Sequence, residues 1–197
     1  MRVTVLGTIG VEVDGLAALG GPTQRRMLAA LVLRANQIVP LDYLVEVTWP
    51  DGDAPERAGH NVRTYVHRLR AALHPEGDRI ETVANGYRFR LDRLELDAFR
   101  FEDLVASARA AAHDADHART QQLLDEALAL WTGRPYDEFA DEPWLQPEIV
   151  RLAELRASAI EHRFDALLDA GCHTEVIGPL HEAIVDEPWR EARRAQY

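Results

Sequence analysis

One stretch, residues 54–90, constrains the fold of this chain more than any other. Apolar residues recur at helical spacing at Val62, Val66, Leu69 and Leu73, while polar and basic residues occupy the other sides of the same segment. Apolar and polar residues then alternate on both sides of the tripeptide at 84–86, Ala-Asn-Gly, which is typical of a β-hairpin turn. A helix fits the DNA major groove, and a hairpin directly after it is the layout of a winged helix. The stretch therefore predicts a DNA-binding helix followed by a wing.

The residues before this stretch have mixed patterns. Alternating valines at 3–5 and 11–13 predict two short strands. The sequence Gly-Gly-Pro-Thr at 20–23 predicts a break, with Thr23 as the N-cap of a helix that runs to about Asn36. A second helix is predicted at 41–48 and the third at 55–73. Together these elements predict an α+β winged helix-turn-helix domain over residues 1–93.

Residues 94–197 show helical periodicity only. The lengths and antiparallel arrangement of these helices are typical of tetratricopeptide-like repeats, whose apolar faces must stack to be buried. The prediction is therefore an all-α, tetratricopeptide-like domain that follows the winged helix, with the boundary near residues 92–96. The last segment begins a helix and stops at Tyr197 within about two turns, so we expect the natural chain to continue.

The charge distribution separates the two halves. Residues 1–93 hold 12 Arg and 11 acidic residues, whereas residues 94–197 hold 10 Arg and 22 acidic residues. A near-neutral half with Arg concentrated on one element can bind DNA, but phosphate repels a strongly acidic half, which is better suited to a protein partner. The single Cys172 excludes an intrachain disulfide, and neither a signal peptide nor a membrane-spanning apolar run is apparent. These features predict a cytoplasmic protein that has no membrane partner.

Several motifs in this order resemble the Streptomyces antibiotic regulatory protein (AfsR-type) family of transcriptional activators. They are VLGTIGVEVDG, LGGPTQRRMLAALVLRANQIVPLDYLVEVTWPD, NVRTYVHRLRAAL, NGYRFRL and EALALWTGRPYDEFADEPW. The resemblance implies an OmpR-type winged helix followed by a bacterial transcriptional activation domain. It also implies binding to direct repeats near promoters, recruitment of RNA polymerase holoenzyme and control of a biosynthetic gene cluster such as one for antibiotic biosynthesis. The wing tip departs from the pattern because it is short and lacks Arg, so no minor-groove Arg contact is expected from the tip itself.

The predicted DNA-binding residues fall into three groups. Side chains that share one face of the third helix and can bond base edges or contact a thymine methyl are Asn61, Thr64, His67 and Arg68. Side chains that can hold phosphates or pair with acids such as Asp51 and Glu56 are Arg57, Arg63 and Arg70. Further phosphate or minor-groove contacts are predicted in the wing and at the start of the first helix, from Thr82, Asn85, Arg88 and Arg25.

The acidic half offers few other sites. Trp144 lies among acidic residues, and a core position and a partner-binding anchor both remain open for it. His113 and His117 have the spacing of a metal pair, but no third ligand is suitably placed, so a solvated helix face is expected. Cys172 has no recognisable base beside it. We therefore expect neither an enzyme nor a cofactor, and no metal site.

Three functions remain open at this point. The first is a sequence-specific activator that binds direct repeats, with a second protomer placed head-to-tail on the DNA. The second is a helical-repeat scaffold for protein interactions, in which DNA binding is vestigial. The third is the N-terminal piece of a larger ATPase-containing regulator. Salt-dependent DNA affinity separates the first two, and the length of the full gene addresses the third.

Overall fold

The structure, a computed structural model, describes residues 1–50, 52–186 and 189–197. These residues form two compact units, each made of two separate chain segments. The first unit contains Met1–Phe99 and Thr132–Ile149, and the second contains Arg100–Trp131 and Val150–Tyr197. Of the helices in these described ranges, none combines the length and apolar composition needed to span a lipid bilayer.

Three helices form the centre of the first unit: α1 at Pro22–Leu33, α2 at Leu41–Thr48 and α3 at Ala58–Ala72. The predicted bounds of α2 are confirmed. Helix α1 begins two residues earlier than expected, because Gly21 is the N-cap and Pro22 occupies the first helical position. Proline is favoured there since its fixed φ suits a helix and its missing N–H would have no partner. Thr23 is therefore inside the first turn, and the prediction that it caps the helix is wrong.

Five short strands complete the first unit. Strands β1 (Arg2–Thr4) and β2 (Gly10–Glu12) form an antiparallel pair. Strands β3 (Val39–Pro40), β4 (Ile80–Val83) and β5 (Gly86–Phe89) form a second antiparallel sheet in the order β3-β5-β4. The β4–β5 hairpin confirms the predicted wing. A Cβ at position 86 would collide with the carbonyl of Val39, so the close approach of β3 and β5 requires glycine there.

The predicted apolar stripe of α3 lies in the core of the first unit. Val62, Leu69 and Leu73 are fully buried and Val66 is nearly so. The wing adds Ile80 and Phe89 to the same set of buried side chains, and α1 adds Leu28 and Leu31. Burying each of these side chains contributes roughly 1.5–3 kcal/mol, so this stripe both holds α3 and determines which of its sides faces solvent.

Residues from the acidic half of the sequence belong to the first unit. The amides of Thr132 and Tyr136 donate to the carbonyls of Leu6 and Val5, each at 2.8 Å. The buried carboxylate of Asp97 accepts hydrogen bonds from the amides of Val5 at 2.9 Å and Leu6 at 3.0 Å. The predicted domains, 1–93 and 94–197, are each one continuous segment, whereas the first compact unit combines Met1–Phe99 with the distant segment Thr132–Ile149. As a division into independently folding domains it stays a prediction.

Every element described in the second unit is a helix. These are most of α4 (Asp97–His113), α5 (His117–Leu128), most of α6 (Gln146–Asp169), α7 (His173–Asp186) and α8 (Glu191–Gln196). Gly171 ends α6 with a positive φ of 78°, and the amide of Cys172 donates back to the carbonyl of Leu167 at 2.9 Å. Phe164, Leu167, Val176 and Leu180 then pack α6 against α7. The predicted all-helical fold is confirmed.

Candidate nucleic-acid interface

Helix α3 exposes a polar and basic face on the side opposite its buried stripe. The side chains on this face are fully or partly accessible, and they are Arg57, His60, Asn61, Arg63, Thr64, His67 and Arg68. All four residues predicted to contact base edges therefore share one accessible surface. His60 was not among the predicted residues, although it precedes Thr64 by four positions and the same helical spacing places it on this face.

The arginines of this face carry unneutralised charge. Among the residues that the structure describes, the guanidinium groups of Arg57, Arg63 and Arg68 have no hydrogen-bond or ion-pair partner. Glu56, one of the acids expected to compete for them, forms no ion pair within the described ranges, and Asp51, the other, lies outside them. Unpaired arginines on an exposed helix face attract an anionic ligand such as the phosphate backbone.

Thr64 has a defined hydrogen-bonding state on this face. Its hydroxyl donates to the carbonyl of His60, one turn earlier, at 3.2 Å. The hydroxyl proton is therefore directed into the helix, and Thr64 presents a methyl group and an acceptor oxygen to the outside. A methyl group at this position suits the predicted contact with a thymine methyl.

A groove separates α3 from the wing. It has a volume of about 580 Å³ and is lined by Arg63, by the first turn of α2 and by wing residues 82–87. The amide of Leu41 donates to the carbonyl of Asn85 at 2.9 Å, which connects α2 to the wing tip and leaves the Asn85 side chain exposed. The arrangement places Arg63 and Asn85 beside one open channel, where both can contact the same ligand.

Arg70 connects α3 to the wing. Its Nε donates to the carbonyl of Ile80 at 2.7 Å, and its Nη2 donates to that carbonyl and to Thr82 Oγ1, the latter at 2.9 Å. Its guanidinium also lies 6.0 Å from the ring centroid of Tyr87. Arg70 and Thr82, both predicted to bind DNA, thus hold the hairpin against α3.

Arg88 pairs with Glu81 on the other face of the hairpin. Thr82 and Tyr87 are cross-strand neighbours on the face of the hairpin that contacts Arg70. Glu81 and Arg88 are the next cross-strand pair, and because side chains alternate along a strand, they lie on the opposite face. Arg88 donates to Glu81 Oε2 from Nε at 2.9 Å and from Nη2 at 2.7 Å. This interaction, followed by a second one from Arg90, lowers the pKa of the Glu81 carboxyl from its ordinary value. A phosphate contact from Arg88 would have to compete with this pair.

Arg25 is engaged within the first unit. Its Nη2 donates to the carbonyl of Ile9 at 3.0 Å and pairs with the carboxylate of Glu138. The neighbouring Arg26 pairs in the same way with Glu142. Arg25 was predicted to reach phosphate from the start of α1, but the structure uses both arginines to hold the segment Thr132–Ile149. That segment lies more than 100 residues along the chain, where local patterns give no sign of the pairing.

The other predicted features of the acidic half have unremarkable surroundings. Trp144 is half-buried, and its indole N–H is buried without an acceptor among the described residues. His113 is exposed, and His117 Nδ1 lies 3.9 Å from Asp169 Oδ2. Within the described part of the chain, no group of three or more side chains is arranged to hold a metal ion.

Two family profiles match the chain in the order that the fold suggests. The profile described as "Transcriptional regulatory protein, C terminal" matches residues 17–89, which include all three helices and the wing of the first unit. The profile described as "Bacterial transcriptional activator domain" matches residues 96–197, which is more than half of the chain.

Similar proteins agree with these profiles. Regulatory protein AfsR of Streptomyces coelicolor is 36% identical over 98% of this chain and 19% of its own length. Transcriptional regulatory protein EmbR of Mycobacterium tuberculosis is 30% identical over 95% of this chain and 49% of its own length. The solved structure of M. tuberculosis EmbR in complex with a low affinity phosphopeptide has a TM-score of 0.93 and 25% identity, and the match covers 99% of this chain and 52% of that one.

This chain thus spans about a fifth of AfsR and about half of EmbR. The profiles and the EmbR structure confirm the predicted fold class, a winged helix-turn-helix followed by a helical domain. The chain belongs to the AfsR-type Streptomyces antibiotic regulatory protein family of transcriptional regulators, in which an OmpR-type winged helix precedes a bacterial transcriptional activator domain.

Proposed function

We propose that this chain binds double-stranded DNA with α3 in the major groove and the β4–β5 hairpin beside it. The observation that supports this most strongly is the contrast between the arginines of the first unit. Arg25, Arg70 and Arg88 are held by partners within the protein, whereas Arg57, Arg63 and Arg68 have no partner among the described residues. Leaving charge unpaired on one exposed face is the arrangement expected of a phosphate-binding surface.

The accessible side chains divide by position. Asn61, Thr64, His67 and Arg68 lie along the part of α3 that can face base edges, and Asn and Arg there can form bidentate bonds with purines. We assign phosphate contacts to Arg57, which lies at the start of α3, and to Arg63, which lines the wing groove. Asn85 at the wing tip is the remaining contact that we assign to the DNA backbone.

The first test is DNA affinity as a function of salt, using fragments from around the protein's own gene. We expect binding to one fragment to exceed random DNA and to weaken steeply as salt rises. Arg68→Ala should cost roughly 1–3 kcal/mol on the specific fragment and much less on random DNA. The control is Arg119→Ala, which removes an exposed arginine of α5 in the second unit. Absence of specific, salt-dependent binding by the wild type would favour the protein-interaction scaffold, and equal binding by Arg68→Ala and the control would remove Arg68 from the base contacts.

We further propose that the helical second unit activates transcription by contacting RNA polymerase holoenzyme. Its two segments, Arg100–Trp131 and Val150–Tyr197, hold 15 acidic residues against 9 Arg, so the unit is a poor DNA ligand but can offer acidic surface to a basic partner. Binding to direct repeats requires head-to-tail protomers, because a two-fold dimer would need inverted repeats. Successive major-groove sites would then lie about one helical turn, roughly 34 Å, apart. The genes controlled would be those of a biosynthetic cluster, and the protein would act in the cytoplasm.

Charge reversal on the helical unit tests this role better than truncation does. A chain ending near Arg93 would lose Asp97 and the segment Thr132–Ile149, both of which belong to the first unit, so a loss of activity could reflect misfolding. Glu175 and Glu182 are exposed and lie two turns apart on α7. The double variant Glu175→Arg/Glu182→Arg should keep operator footprints and lose stimulation of transcription in vitro. Full stimulation by this variant would show that this acidic face is not the activation surface.

A further inference from the structure

The second unit contains a cavity that DNA binding does not use. It has a volume of about 270 Å³ and lies between α4, α5 and α6. Four buried residues line it: Ala108 of α4, Thr120 and Leu124 of α5, and Ala166 of α6. The Thr120 hydroxyl donates to the carbonyl of Asp116 at 2.8 Å, so its hydrogen is already used and the wall it forms is largely apolar.

The accessible edge of the cavity carries both signs of charge. Arg109 lines it from α4 and is exposed, and its guanidinium has no partner among the described residues. Several other arginines of this unit are paired with acids, as Arg163 is with Asp125 and Arg100 with Glu126. An unpaired guanidinium beside an apolar cavity is suited to a carboxylate, which it can bind with two parallel hydrogen bonds.

The α6 edge of the same cavity is acidic. Asp165 and Asp169 are exposed, lie one turn apart and both line the cavity. Asp165 uses one oxygen to accept a hydrogen bond from Gln196 Nε2 at 2.6 Å, which leaves its other oxygen available. His117 Nδ1 lies 3.9 Å from Asp169 Oδ2, which is beyond hydrogen-bond distance. Two carboxylates in this state are suited to an ammonium group.

We propose that this cavity binds a free amino acid with an apolar side chain. The ligand's carboxylate would lie on Arg109, its ammonium group on Asp165 and Asp169, and its side chain against Leu124 and the alanines. Each feature of the ligand thus answers a separate feature of the cavity. A simple fatty acid would leave the two aspartates unmatched, and a simple amine would leave Arg109 unmatched.

The size of the cavity agrees with this class of ligand. An apolar protein cavity of about 150 Å³ can hold benzene, which has six non-hydrogen atoms. A volume of about 270 Å³ then corresponds to roughly ten such atoms, which is the size of leucine or phenylalanine. The volume lies just below the range of roughly 300–1,000 Å³ that is usual for drug-sized ligands, which favours a small ligand.

Calorimetric titration of the full chain with L-leucine, 3-methylbutylamine and 4-methylpentanoate tests the proposal. The second compound lacks the carboxylate of leucine, and the third lacks its ammonium group. We expect saturable binding of L-leucine or L-phenylalanine with a Kd of about 1 mM or tighter, and at least about tenfold weaker binding of either half-ligand. Equal binding of leucine and one half-ligand would overturn the zwitterion assignment, and absence of binding by both amino acids would overturn the site.

Matched variants locate the binding. Ala112 lines the mouth of the cavity and is exposed, so Ala112→Phe should obstruct the cavity without disturbing the buried residues. Ala118→Phe places the same ring at an exposed alanine of α5 that does not line it. Arg109→Gln should weaken leucine binding about tenfold, whereas Arg119→Gln should not. Circular dichroism checks that each variant is folded. Unchanged binding by both Ala112→Phe and Arg109→Gln would exclude this cavity, independently of any result with DNA.

Discussion

Replacing Arg70 by alanine separates two roles for this side chain. Sequence patterning predicts a DNA contact, whereas the structure places the guanidinium between α3 and the wing. If Arg70 acts by positioning the wing, Arg70→Ala should weaken the folded protein and loosen the hairpin, while the base-contacting face of α3 remains intact. If it binds DNA directly, the loss should appear only in the complex.

The structure sets the size of the effect. The variant removes charge-assisted hydrogen bonds to two acceptors, the carbonyl of Ile80 and the hydroxyl of Thr82. A hydrogen bond that involves a charged group contributes roughly 1.5–3 kcal/mol when its partner is buried. Ile80 is fully buried, but Thr82 is exposed and can bond water instead, so only the first contact counts in full. We expect the free energy of unfolding to fall by about 2 kcal/mol.

Urea unfolding and hydroxyl-radical footprinting of the operator complex measure the two consequences. Arg70→Ala should lose protection where the wing meets the DNA and keep protection by α3. It should leave the dependence of affinity on salt nearly unchanged, because the wing contact assigned to Asn85 carries no charge, whereas a direct Arg70–phosphate contact would flatten that dependence by about one phosphate contact. Arg63→Ala is the control. The Arg63 guanidinium is exposed and has no partner in the part of the chain that the structure describes, so its loss should weaken DNA binding without changing the free energy of unfolding. Unchanged stability with a loss of base discrimination in Arg70→Ala would refute the positioning role.

Three further predictions concern other contacts. Asp97→Ala should lower the free energy of unfolding, measured by urea denaturation, by about 3–5 kcal/mol. The reason is that the buried amides of Val5 and Leu6 lose their acceptor, and a loss below about 1 kcal/mol would contradict this. Asn61→Ala should cost roughly 1–3 kcal/mol on the operator and little on random DNA in parallel titrations, and equal losses would exclude a base contact. The pKa of Glu81 is lowered in the folded state, so its pairing with Arg88 stabilises the protein above pH 4.5 and this stabilisation is lost as pH falls through the lowered value. The difference in unfolding free energy between wild type and Glu81→Gln should therefore shrink below pH 4.5. A difference that persists at lower pH would contradict the pairing.

The local elements of this protein could be predicted from its sequence alone. The buried stripe of α3 follows from apolar residues at helical spacing, and the hairpin follows from alternation around a turn sequence. The exposed side of α3 follows as well, because burying one stripe leaves the remaining positions in solvent. The position of His60 on this face follows from the same spacing, because it precedes Thr64 by one helical turn. All of these features depend on residues within a few positions of one another.

Only the tertiary structure decided which arginines remain available to a ligand. Arg25 and Arg68 have the same chemistry and are both near exposed helix surface, but a carboxylate 113 positions away neutralises the first. The same long-range contacts join Thr132–Ile149 to the first unit, although its sequence continues the acidic helical half. Periodicity reports which side of an element is buried, whereas ion pairs and backbone hydrogen bonds depend on which distant segments meet, so the interface and the unit boundaries required the packed structure.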